Sequence, residues 1–151
     1  MLLETEILDP LFELDGVPQN VSVTYHRDQG NQGEIHVPVY ATSPVFAPPF
    51  LIPKGTWTVV FEVQTSGWVF GSVTYQKTHD GFRFPQGVLP LDSGPGSDGS
   101  WRTVFDTTEV TDVNMLGCTI VLNPDPNRFG SEFIAPISGD PTIAVVKDPM
   151  G

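Results

Sequence analysis

The chain has 151 residues, 18 of them acidic and 7 basic, and a formal net charge of -11 at pH 7. This length suffices for one substantial core, so we expect residues 1–151 to form a single domain. The negative charge repels phosphate backbones and anionic headgroups, which excludes nucleic acid as an expected partner.

The first residues, MLLETEILDP, predict no targeting segment. A secretory leader begins with basic residues and continues with apolar ones, whereas this stretch is acidic. No apolar run approaches the roughly 20 residues of a membrane helix. We therefore expect a protein without a membrane span, cytoplasmic by default.

Glycine and proline, 15 of each, separate short runs of β-branched and aromatic residues, and no apolar pattern persists at helical spacing. This pattern predicts an all-β fold, specifically an antiparallel β-sandwich of jelly-roll type with seven or eight strands. The predicted strands are residues 21–27, 34–41, 57–64, 68–77, 101–106, 116–122 and 142–147, with residues 4–8 as an eighth, short edge strand. Cys118 lies in the apolar alternation of one of these strands, so a buried thiol is expected.

The first hairpin is predicted to join residues 21–27 to residues 34–41. Its register places an apolar face on both strands. The residues of that face are Val21, Val23, Tyr25, Ile35, Val37 and Val39. The other face then carries His26 opposite Glu34, with His36 close by.

Two imidazoles and a carboxylate on neighbouring strand positions could converge on one divalent cation, such as zinc or iron. His26, Glu34 and His36 are therefore the candidate metal ligands, and a divalent metal is the only cofactor that the sequence suggests. The alternative is the ordinary polar face of a half-exposed strand. The metal interpretation would make the protein a metal-dependent β-sandwich enzyme.

A second hairpin is predicted within VVFEVQTSGWVFGSVTY, around a three-residue loop at residues 65–67. Gly67 would take the left-handed position of that loop. This register places two aromatic rings on a polar face. The four residues of the candidate ligand site are Glu62, Gln64, Trp68 and Phe70.

Flat aromatic rings beside carboxylate and amide groups suit the C–H face of a sugar or an apolar group of a partner protein. The other interpretation, which we favour, is that the apolar segment 42–54 or a neighbouring sheet covers this face and buries both rings.

No nucleophile elbow, P-loop or dinucleotide-binding glycine motif is present in the sequence. The sequence therefore predicts a non-catalytic binding or interaction module for carbohydrate or protein, and more generally a protein that is not an enzyme. The alternative is a structural, self-assembling jelly roll of capsid-like or inclusion-forming type. A homo-oligomer is expected.

Overall fold

The computed structural model describes residues 3–8, 11–14, 17–20, 23–28, 30–77, 89–109, 114–129 and 134–145. The strands in these residues are β1 (Leu3–Leu8), β2 (Leu11–Leu14), β3 (Val17–Asn20), β4 (Val23–Asp28), β5 (Gln32–Val39), β6 (Leu51–Ile52), β7 (Thr56–Val63), β8 (Trp68–Lys77), β9 (Leu89–Pro95), β10 (Trp101–Asp106), β11 (Asn114–Pro124), β12 (Ile137–Gly139) and β13 (Thr142–Val145). A single helical turn, α1, spans Pro126–Phe129. Among the described residues, no helical segment has the length and apolar character needed to cross a bilayer.

The strands form two main sheets and a small β2–β3 hairpin. The first sheet has six strands in the order β1-β4-β5-β7-β10-β9. In the second sheet β11 is central, with β8 on one side and β12 and β13 on the other, and β6 lies beyond β13. The predicted all-β architecture with two sheets is therefore confirmed.

Two strand pairs are parallel, which the antiparallel prediction did not anticipate. They are β5 with β7 and β6 with β13. After β5 the chain leaves the first sheet, contributes β6 to the second sheet, and returns as β7. Parallel neighbours need such a crossover, so the excursion through β6 explains the direction of β7.

The hydrophobic core lies between the two sheets. The first sheet contributes Val23, Tyr25, Ile35, Val37, Val39, Trp57, Val59, Phe61 and Phe105, and the second contributes Ile52, Val73, Leu116, Cys118, Ile120, Leu122 and Ile143. Cys118 is fully buried, as expected, and burial raises the pKa of its thiol to about 12. The thiol is therefore a packing group in its neutral form.

The first hairpin has the predicted register. Tyr25 lies opposite Ile35 and His26 opposite Glu34. The buried hydroxyl of Tyr25 donates to the carbonyl oxygen of Leu51 at 2.8 Å and accepts from its amide at 3.0 Å. A core side chain of the first sheet thus anchors β6 of the second.

The second predicted hairpin is wrong. β7 pairs with β5 and β10, whereas β8 pairs with β11 in the other sheet. The connecting residues are held at both ends. Gln64 N donates to Val39 O at 2.8 Å on the first sheet, and Gly67 O accepts from Asp125 N at 2.9 Å beyond β11. Gly67 takes the predicted positive φ, 93°, but in a turn between sheets.

A β-bulge at Gly71 changes which side chains of β8 face the core. Phe70 lies opposite Leu122 and Ser72 opposite Val121, so Gly71 has no opposing residue. Without the bulge, residues 68 and 70 would share a face with residues 72 and 74. With it, Trp68 and Phe70 join Val73 and Tyr75 at the core, and the predicted outward placement of both rings is wrong.

The apolar segment 42–54 is buried, but not over an outer face of β7 and β8. Its residues Val45, Ala47 and Phe50 are buried in the core cluster. The rings of Phe50 and Phe61 meet edge to face, with centroids 6.0 Å apart. The segment therefore packs between the sheets and does not cover an outer face.

Candidate binding site

A cleft of about 390 Å³ lies where the β7–β8 turn meets the β9–β10 turn. We call it the tryptophan cleft, after Trp68. It is lined by Glu62, Val63, Gln64, Trp68, Val69, Asp98, Gly99 and Ser100. The β7–β8 turn connects the two sheets, whereas the β9–β10 turn joins two strands of the first sheet, so the cleft lies where the chain crosses from one sheet to the other.

Trp68 is the aromatic group of this cleft. It begins β8 and is half-buried, because part of the ring packs against the core. Val69, beside it, is 42% exposed and is the one large hydrophobic side chain that stands out as exposed in the described part of the chain. The tryptophan cleft therefore combines an anchored aromatic ring with an exposed apolar neighbour.

The β9–β10 turn supplies the opposite wall. Asp98 Oδ1 accepts from the Ser100 hydroxyl at 2.6 Å and from the Ser100 amide at 3.1 Å. Gly99 has a positive φ of 86°, a conformation that glycine adopts without steric cost. These hydrogen bonds hold the pKa of Asp98 below its ordinary value, so its carboxylate is ionised at neutral pH.

Three of the four predicted ligand residues line the tryptophan cleft, namely Glu62, Gln64 and Trp68. Phe70 lies elsewhere: it packs against the core, and its ring centroid is 6.3 Å from that of Trp101. The sequence thus grouped Glu62 with Trp68 through a hairpin that does not exist. The turn between the sheets brings them together instead.

A chain of ionisable side chains in mutual contact begins and ends at this cleft. We call it the charge ladder, and its members in order are Glu62, His36, Glu34, Arg102 and Asp98. His36 Nδ1 lies 3.1 Å from Glu62 Oε1, and His36 Nε2 lies 2.9 Å from Glu34 Oε1. Arg102 Nη1 donates to Glu34 Oε2 at 3.0 Å, and Arg102 Nη2 lies 3.7 Å from Asp98 Oδ2.

The charge ladder crosses the outer face of the first sheet over β7. Glu34 on β5 and Arg102 on β10 are two strands apart, a backbone separation of about 10 Å, and their side chains bridge it. Val60 lies between them, in register with His36 and Arg102. It is fully buried although it points away from the core, because the ladder covers it.

The carboxylate of Glu34 is the central acceptor of the ladder. Partial burial raises its pKa, but the hydrogen bonds from His36 and Arg102 and the charges of both side chains outweigh burial. The net result is a pKa below the ordinary value of 4.5. Glu34 is therefore ionised at neutral pH, with both oxygens occupied.

The three candidate metal ligands share the outer face of the first sheet, as predicted. His26 and His36 meet edge to face with ring centroids 5.0 Å apart, and both line a groove of about 640 Å³ with Glu34. Among the described residues, however, no group of three His, Cys, Asp or Glu side chains is placed to hold a metal ion. His36 already directs both ring nitrogens at carboxylates, and the metal hypothesis stays a prediction.

Sequence reasoning missed Asp98, Ser100 and Arg102 as members of the site. A signal was present, because PGSDGS is rich in turn-forming residues and directly precedes the strand pattern WRTVFD. It predicts a hairpin turn, but nothing in it shows which surface that turn approaches.

No protein-family model matches the chain, and a search of curated proteins gives no match either. The functional argument therefore depends on the geometry of the site.

Proposed function

We propose that this protein is a non-catalytic binding module and that its ligand is a neutral carbohydrate held in the tryptophan cleft. One observation carries the proposal: Trp68 lines the same cleft as Glu62 and Gln64 while part of its ring is fixed against the core. A fixed aromatic ring loses little side-chain entropy on binding, which favours its use as an anchor.

The polar groups of the cleft suit a ligand rich in hydroxyl groups. Glu62 uses only Oε1 in the charge ladder, so among the described residues Oε2 has no hydrogen-bond partner. Gln64 is exposed and offers both an amide donor and an acceptor. A sugar ring would stack its C–H face on Trp68 and direct hydroxyl groups at Glu62 and Gln64.

The charges of the site argue against an anionic ligand. Its lining among the described residues includes two carboxylates, Glu62 and Asp98, and no lysine or arginine. The nearest cation of the ladder, Arg102, is already directed at Glu34 and Asp98. Repulsion therefore disfavours phosphorylated or sulfated sugars relative to neutral ones.

The test is isothermal titration calorimetry with a panel of neutral hexasaccharides of β-linked glucose, xylose and mannose. Trp68→Ala should lower the affinity for the bound sugar at least about tenfold, because the stacking surface is lost. Thr74→Ala is the matched control, since Thr74 is exposed on the same strand and lies outside the cleft lining. Wild-type protein that binds none of these sugars, or Trp68→Ala that binds as well as wild type, would contradict the proposal.

A second candidate function, self-assembly, is favoured by the edge of the second sheet. Among the described residues β8 pairs with β11 alone, so one edge of this ten-residue strand has no partner strand. Such an edge is a template for pairing with a second copy of the chain. This second proposal includes the predicted jelly-roll strand order and the expected homo-oligomer. Size-exclusion chromatography with light scattering tests it, since a monomer at all concentrations would contradict it.

A further inference from the structure

A chain of hydrogen-bonded side chains lies where β8 of the second sheet faces β10 of the first. The hydroxyl of Tyr75 on β8 donates to Thr103 Oγ1 on β10 at 3.0 Å. Thr103 Oγ1 lies 3.0 Å from Ser93 Oγ on β9, and Trp101 Nε1 donates to the same Ser93 oxygen at 2.9 Å. Burial raises the pKa of Tyr75, so its hydroxyl keeps the proton that begins the chain.

The direction of the hydrogen bond between Thr103 and Ser93 follows from the burial of Thr103. The Thr103 side chain is fully buried, and its oxygen already accepts from Tyr75. Its own proton needs an acceptor, because a buried donor without one costs free energy. Among the described residues, Ser93 Oγ is the acceptor within hydrogen-bonding distance. Ser93 therefore accepts two hydrogen bonds, from Thr103 and from Trp101, and its own proton is left to donate.

Ser93 and Trp101 together offer the same two kinds of group as the tryptophan cleft. Ser93 is exposed, so its remaining proton is available to a ligand. The Trp101 ring is half-buried and is fixed at its Nε1 by Ser93 and at its face by Phe70, whose ring centroid is 6.3 Å away. A fixed aromatic ring beside a hydroxyl donor suits a sugar unit. Neither Ser93 nor Trp101 lines the cleft itself.

This second pair of groups is next to the tryptophan cleft. Trp101 directly follows Ser100, which lines the cleft. On β8, Phe70 lies two residues beyond Trp68, about 7 Å along the strand, and its ring meets that of Trp101. The line from Trp68 to Trp101 therefore runs between the two sheets, past Phe70. A ligand that contacts both tryptophan rings must be longer than one sugar ring.

We infer that Trp101 and Ser93 form a second sugar subsite, which extends the tryptophan cleft between β8 and β10, and that the ligand is a neutral oligosaccharide of at least two units. The inference rests on the proposed function. One unit occupies the cleft and stacks on Trp68. A later unit stacks on Trp101 and accepts a hydrogen bond from the Ser93 hydroxyl.

The first experiment locates the oligosaccharide by NMR of the indole Nε1–H groups of the full chain. The protein has three tryptophans, and single Trp→Phe variants assign their signals. The hexasaccharide that binds should shift the signals of Trp68 and Trp101. Trp57, 1% exposed in the core, is the internal control and should keep its position. A hexasaccharide that shifts Trp68 but not Trp101 would overturn the inference and leave the proposed function intact, whereas one that shifts neither would overturn both.

The second experiment compares the hexasaccharide with the monosaccharide of the same sugar by calorimetry. Wild-type protein should bind the hexasaccharide at least about tenfold more tightly, because the second subsite adds an aromatic contact. Trp101→Leu, which keeps an apolar group against the core, should remove most of this gain, and Trp101→Phe, which keeps a ring, should retain part of it. Ser93→Ala should lower the affinity for the hexasaccharide about two- to tenfold and change that for the monosaccharide little.

Asp92→Asn is the matched control for Ser93→Ala. Asp92 is the exposed neighbour of Ser93 on β9, and alternation directs its side chain to the other face of the sheet. This variant should bind the hexasaccharide as wild type does. Equal wild-type affinities for the hexasaccharide and the monosaccharide would overturn the inference and leave the proposed function intact. Wild-type affinity for the hexasaccharide in both Trp101→Leu and Ser93→Ala would do the same.

Discussion

Two pairs of consecutive strands in this protein have similar sequence patterns but differ in whether the two strands pair with each other. In the first, β4 and β5 form the hairpin that alternation predicts, and Tyr25 faces Ile35 across the pair. In the second, β7 and β8 have equally clear alternation and a glycine at the predicted turn, yet they join different sheets. A good turn residue and matching faces are therefore insufficient to specify a hairpin.

The difference lies in what else each strand can pair with. β7 is in the middle of the first sheet, with β5 and β10 as neighbours, so neither of its edges is left for β8. β11, at the centre of the second sheet, pairs with β8 over nine residue positions. Competition from distant strands, which contribute far more hydrogen bonds than a local turn, decides the pairing.

The largest expected effect compares Trp57 with Trp68. Trp57 is 1% exposed in the core, so Trp57→Ala should cost about 3–5 kcal/mol of unfolding free energy. Trp68 is only partly buried, and Trp68→Ala should cost about 1–2 kcal/mol because less apolar surface is lost. Urea unfolding measures both. Equal losses for the two variants would show that Trp68 is buried as fully as Trp57.

The bulge at Gly71 is tested next. A Cβ atom at this position would lie 2.7 Å from Asn123 Nδ2, the end of a side chain that can rotate away, so Gly71→Ala should destabilise the protein by at most about 1 kcal/mol. The double variant Gly71→Ala with Asn123→Ala is the control, because removal of the amide relieves the clash. Urea unfolding of both variants and of Asn123→Ala alone gives the coupling. If the free-energy losses of the two single variants simply add in the double variant, Asn123 does not contact the side chain introduced at position 71.

Tyr75 tests the side-chain direction after the bulge. Its hydroxyl donates to Thr103 Oγ1 at 3.0 Å, a hydrogen bond between the two sheets, and burial raises the pKa of Tyr75 above its ordinary value. Tyr75→Phe should cost about 0.5–1.5 kcal/mol in thermal or urea unfolding, since Thr103 loses a buried partner. Tyr40→Phe is the comparison, because the Tyr40 hydroxyl has no partner among the described residues and its loss should change little.

The smallest effect concerns the charge ladder on the outer face of the first hairpin. Because the pKa of Glu34 is lowered by folding, its carboxylate stabilises the folded state above its ordinary value of 4.5, and this contribution is lost as the pH falls through the lowered value. Glu34→Gln should therefore reduce the loss of stability in acid, by less than about 1 kcal/mol because the pair is partly exposed.

Unfolding free energies measured as the pH is lowered check this prediction. Glu109→Gln is the control, because Glu109 is exposed and lies just beyond the end of β10. An acid profile for Glu34→Gln that matches wild type would mean that the contacts of Glu34 with His36 and Arg102 do not persist in solution.

The candidate site could be predicted only in part. Alternation on β7 predicted an outer face for Glu62, and Trp68 at the start of β8 lines the same cleft as Glu62, although the hairpin that was to join them does not form. Asp98 and Arg102 were not predicted, since they are far from Glu62 in the sequence. Their place in the site depends on β10 lying beside β7, a pairing that alternation alone does not specify.

The sequence by itself determined the all-β class, most strand positions, the buried thiol of Cys118 and the register of the first hairpin. These follow from alternation and turn chemistry, which act over a few residues. Only the tertiary structure decided that β7 and β8 join different sheets and that the bulge at Gly71 directs Trp68 and Phe70 toward the core. It also decided that both ends of the charge ladder lie at the tryptophan cleft. These features depend on competition between strands that are distant in the chain, and that competition leaves no local pattern.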